Sequence, residues 1–84
     1  MPVTDPALAL VGEAIAGLGR GDVAAARSAM AAAVSLESSL GAVADAVAFA
    51  AAELEGEGTV SPAAWNALTD ACPAELRSVV EVWR

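Results

Sequence analysis

Apolar residues recur along this chain at helical spacing, in blocks separated by glycine and proline. The most apolar block runs from Ser39 to Leu54. On a helical wheel Leu40, Val43, Val47, Ala50, Ala51 and Leu54 share one side, the i, i+3, i+4, i+7 stripe of a core-facing helix. The other side carries Asp45 and Glu53, but also Ala42, Ala46, Phe49 and Ala52. A helix apolar on nearly every side is buried between neighbours or against a second protein. This block therefore reads as the central helix of a small all-α domain.

The flanking blocks carry their own start and stop signals. Asp5-Pro6 opens a first helix: the carboxylate caps, and proline at the first position loses no needed hydrogen bond. The helix should reach about Leu18 with Leu8, Val11, Ile15 and Leu18 inward. Gly12 sits inside it at a cost of about 1 kcal/mol against alanine, which points to close approach by a neighbouring helix. Gly19-Arg20-Gly21 supplies a left-handed cap and turn. Asp22 then caps a second helix, Val23 to about Ser35, with Val23, Ala26, Met30 and Val34 or Ala33 inward and Arg27 snorkelling over its surface. After Glu37-Ser38-Ser39 a serine is expected to cap the central helix, with Leu36 as a hydrophobic staple.

Glu53, Glu55 and Glu57 crowd the end of the central helix, where the negative end of the dipole opposes them. Fraying and a mobile loop are expected there. Ser61-Pro62 and Cys72-Pro73 open two further helices. The fourth carries Trp65 and Leu68, and the fifth carries Leu76, Val79, Val80 and Trp83.

Composition sharpens this picture. The 84 residues are 57% hydrophobic, with only Phe49, Trp65 and Trp83 aromatic. Alanine favours helix throughout and lets helices approach closely, but each contact buries little area. A chain of this size is marginal alone and gains from self-association. Four arginines against eleven acids, with no lysine, give a net charge of −7. That balance argues against nucleic acid and against anionic membrane surfaces. Asp45 interrupts the longest apolar run, so no transmembrane span is expected. Met1 to Leu10 lacks a basic n-region and reads as mature sequence. A single cysteine with nothing pointing to export makes the cytoplasm the default. The alanine and arginine usage suits a GC-rich bacterial genome.

The segment Gly12 to Leu54 resembles a tetratricopeptide-type hairpin with the first helix of a following repeat. Gly12, Ile15, Ala24 and Ala31 stand at the family's packing spacings, and Gly19 to Asp22 resembles its inter-helix turn. Ala46 and Phe49 repeat the small-then-aromatic pair one repeat later. Ser28 departs from the pattern where a large residue is usual, and no proline closes the repeat at Leu36. The resemblance implies protein binding. A second resemblance is to acyl carrier proteins, through Ser39-Leu40 followed by Val43. It implies a phosphopantetheine on Ser39, although Ser38 replaces the usual aspartate.

Candidate chemistry is thin. Without histidine, lysine or tyrosine, the usual general bases and Schiff-base nucleophiles are missing. Cys72 at a helix start is open to activation by the helix N-terminus, or is simply a small apolar side chain near Trp65 and Leu68. The Glu53, Glu55, Glu57 cluster offers oxygen ligands for calcium without matching a calcium loop.

The expectation is thus one all-α domain over residues 1–84, a compact bundle of about five short helices around Ser39 to Leu54. It is built from a tetratricopeptide-like hairpin plus two C-terminal helices. It is non-enzymatic, with no catalytic residue, metal or cofactor, and binds a protein partner or a second copy. The expected contact residues are Phe49, Trp65, Val80 and Trp83. A carrier protein modified at Ser39 is the alternative.

Overall fold

A computed structural model describes residues 5–84. Five α-helices follow in order: α1 Pro6–Arg20, α2 Val23–Leu36, α3 Gly41–Glu57, α4 Pro62–Ala71 and α5 Ala74–Trp83. A single 3-10 turn, Ser38–Leu40, leads into α3, and the described residues contain no strand. The all-α bundle expected from the sequence is the fold observed. The reading of Met1–Thr4 as a mature N-terminus lies outside the described residues.

The helix starts follow the local chemistry. Asp5 Oδ1 accepts from the Ala7 amide at 2.9 Å, and Asp22 Oδ1 accepts from the Ala25 amide at 3.0 Å. Ser61 Oγ accepts from the Ala64 amide at 3.2 Å. Each bond satisfies one of the orphan donors of a first helical turn, typically about 1 kcal/mol apiece. Gly21 (φ 80°) and Gly58 (φ 79°) end α1 and α3 in the left-handed region that only glycine enters without strain.

α1 packs against α2, α3 and α5, while α3 packs against α1, α2 and α4. These two helices share the centre of the bundle. α1 buries Ala7, Val11, Ala14, Ile15, Gly17 and Leu18; α3 buries Val43, Val47, Ala50 and Ala51. The predicted inward set of α3 is seen, with Leu40 buried in the preceding turn and Leu54 half-buried. Trp65, Leu68, Leu76 and Val80 close the core from α4 and α5, and no polar or charged residue lies in it among those described.

Four local expectations are corrected. No serine caps α3: its N-cap is Leu40, with no side-chain cap bond, because the 3-10 turn already directs the chain into the helix. Leu36 is 59% exposed and staples nothing. α3 does not stop at Leu54 but continues to Glu57 and ends on Gly58. The close approach assigned to Gly12 belongs to Gly17 instead. A Cβ on Gly12 would meet only Leu76 Cδ2, at 4.0 Å, whereas one on Gly17 would lie 3.0 Å from the Ala26 backbone nitrogen. Gly17 is where α1 and α2 come together.

Candidate functional site

Acids in the last turns of α3 have partners outside the helix. Glu53 accepts from both the backbone N–H and the hydroxyl of Ser61, at 3.1 and 2.7 Å. One carboxylate thus ties the last turns of α3 to the first turn of α4. Glu55 meets Arg27 of α2 at 3.3 Å on the surface. Glu53 and Glu55 are therefore held by partners distant in sequence, which offsets the unfavourable end of the dipole. Among the described residues no three ligating side chains converge as a metal site would require.

The four expected contact residues part company. Trp65 and Val80 lie in the core, at 8% and 0% exposure, so neither is available to a partner. Both sit on the inward stripes of α4 and α5, where burial is worth about 1.5–3 kcal/mol per large apolar side chain. Phe49 is 56% exposed. Trp83 is 36% exposed and packs across Gly19 at the end of α1.

Phe49 stands on the solvent side of α3. Ala31, Leu36, Ala42, Ala48 and Ala52 are exposed on α2 and α3. Arg27 is the only charged residue of α2, and Asp45 the only one of α3 before Glu53. Between the two helices runs a groove of about 470 Å³, floored by Met30, Val34, Ala44 and Val47 and edged by Arg27, Ala31 and Ala48. An exposed aromatic and an apolar groove thus belong to one pair of helices. The sequence had flagged the weakly polar side of α3, but not the groove, which requires knowing that α2 lies alongside.

A second cleft, about 580 Å³, opens where α1 and α3 end and α4 begins. Trp65, Trp83, Arg20 and Arg84 line it, together with Thr59 and the turn glycines.

Cys72 is buried in the C-cap of α4 rather than capping α5, whose N-cap is Pro73. Burial pushes its thiol up to about 11, the Arg77 guanidinium offsetting part of the shift. A thiol so placed is nearly all protonated at neutral pH and is a poor nucleophile. Ser39 is exposed in the 3-10 turn, its hydroxyl donating to Glu37 Oε1 at 3.0 Å.

No protein-family model, curated protein or solved structure matches this chain. No helix among the described residues is long and apolar enough to cross a membrane.

Proposed function

We propose that this chain is a non-enzymatic self-association domain whose α2–α3 face binds the same face of a second copy. The observation that carries the reading is an exposed aromatic and an apolar groove on one pair of helices: Phe49 is 56% exposed on α3, roughly 100° round that helix from Ala48 at the edge of the groove floored by Met30, Val34, Ala44 and Val47. About a two-fold axis, Phe49 of each copy enters the groove of the other, so the contact is self-complementary and closes as a dimer. Aromatic anchors in apolar pockets supply most interface energy.

The molecule carries −7 overall, but the groove is lined by a single charged residue, Arg27, which already pairs with Glu55. A second copy's aromatic side chain can enter it without meeting an unpaired charge, and salt screens the acidic surfaces elsewhere. The hairpin of α1 and α2 followed by α3 accords with the tetratricopeptide resemblance, whose members bind proteins. The protonated thiol of Cys72 and the lack of histidine and lysine fit a role without catalysis.

Sedimentation velocity of the wild type and of Phe49→Glu tests the proposal. The expected result is a dimer at tens of micromolar for the wild type and a monomer of unchanged melting temperature for the variant. A wild type that stays monomeric at about 1 mM, or a variant that stays dimeric, overturns it.

A further inference from the structure

The cleft where α1 and α3 end shares no residue with the α2–α3 groove, and its chemistry differs in kind. Its charged lining residues are Arg20 and Arg84, with no Asp or Glu among them. Two of the four cations of an acidic protein therefore face one opening. Arg84 already donates to Glu81 and to Asn66. Arg20 has no carboxylate partner among the described residues.

Among the neutral lining residues, Thr59 is exposed and carries a hydroxyl, and Trp65 is 8% exposed. Trp83, Val60, Pro62 and Leu54 complete the walls with apolar surface. An exposed guanidinium with no carboxylate partner and a hydroxyl at one opening form a set that an oxyanion satisfies and a cation or neutral apolar molecule does not. The volume lies in the range of small-molecule sites, roughly 300–1,000 Å³.

We infer that this cleft binds a small organic anion: a carboxylate or phosphate on a flat apolar body. The oxyanion is held by Arg20, with Thr59 lining the same opening. The apolar body rests against the face of Trp83. This site is independent of the α2–α3 face and holds whether or not the chain dimerises.

The test is titration of the full chain, labelled with nitrogen-15, with 2-naphthoate, with phenyl phosphate and with the neutral 2-naphthamide. The expected result is saturable shifts of the Trp65 indole N–H and of the Gly19, Gly21 and Gly58 amides, with Kd below about 1 mM for at least one anion. 2-Naphthamide should bind at least about tenfold more weakly. Arg20→Gln should weaken the anion about tenfold, as loss of a charge-assisted hydrogen bond implies. Arg20 is exposed, so this variant keeps its fold, and an unchanged spectrum elsewhere confirms that. The relative strength of naphthoate and phenyl phosphate sorts carboxylate from phosphate. No saturable shift with either anion, equal binding of the amide, an unchanged Kd in Arg20→Gln, or shifts confined to the amides of Ala48 and Phe49 would each overturn the site.

Discussion

Trp83 of α5 lies so close across Gly19 of α1 that a Cβ added to the glycine would sit 2.7 Å from its Cδ2 and 2.9 Å from its Cβ. The ends of the first and last helices are therefore matched in shape, a missing side chain on one receiving an indole from the other. The contact explains why Trp83, one residue from the end of the sequence, is only about a third exposed.

The match is expected to show in a double-mutant cycle. Gly19→Ala alone should destabilise by about 1–3 kcal/mol, because the indole must leave its seat. In a Trp83→Ala background the same change should stabilise by up to about 1 kcal/mol, since only helix propensity remains. Urea denaturation of the four proteins measures the coupling. Additive effects would mean that the indole does not rest on Gly19.

Two other glycines of α1 are expected to respond in opposite directions. Gly12→Ala should stabilise by about 0.5–1 kcal/mol, because the new methyl makes an ordinary contact with Leu76 at 4.0 Å. Gly17→Ala should destabilise by about 1–3 kcal/mol, because its neighbours are backbone atoms of Ala26 and Asp22 at 3.0 to 3.3 Å, which cannot swing aside. Thermal melts of the pair decide it.

Removing the Glu53 carboxylate should release the corner between α3 and α4. Glu53→Ala leaves the Ser61 amide and hydroxyl without their acceptor. A loss of about 1–3 kcal/mol is expected, and amide exchange should speed up first in the segment from Gly56 to Ala64. Glu57→Ala, which removes an exposed acid from the same helix end, should be neutral or slightly stabilising.

The Cys72 thiol sets a pH dependence. In the unfolded chain it ionises near 9.0, and in the folded chain near 11. Between these values the unfolded state has lost a proton that the folded state keeps, so stability falls as pH rises. Below pH 9 the thiol is protonated in both states and contributes no slope. Denaturant titrations at pH 8 and pH 10.5 should differ in the wild type by more than in Cys72→Ala. Alkylation by iodoacetamide at pH 8 should be far slower in the folded protein than in urea.

The sequence made three of the five helix starts visible and the tertiary ties invisible, for a physical reason. Asp5, Asp22 and Ser61 cap amides two or three residues away, so a few adjacent letters contain the whole interaction. The inward stripe of α3 was equally legible, because Val43, Val47, Ala50 and Ala51 share a face by helical geometry alone. The end of α3 was not. Glu53 and Glu55 looked misplaced against the dipole until Ser61 and Arg27 were seen to hold them. Trp65 and Val80 were misjudged as surface contacts because an apolar stripe reads the same whether it faces a core or a partner. Of the two surfaces, the exposed Phe49 could be suspected from its helix. The cleft joins Arg20 to Thr59, Trp65 and Trp83 and could be found only in three dimensions.

Among the described residues the interior contains hydrocarbon, sulfur and one indole, with no buried side-chain hydroxyl, amide or charge to lock one helix against the next. Polar groups fix register because a slip leaves them stranded. Here a slip strands nothing inside the core: the polar ties between helices, Glu53 to Ser61 and Arg27 to Glu55, lie at its margin, and within it only the fit of side chains resists. Interlocking shape is lost as soon as the bundle swells, whereas backbone hydrogen bonds within each helix survive swelling. The helices should thus outlast their arrangement: under mild denaturation this protein passes through a loose, still helical globule before it becomes a coil.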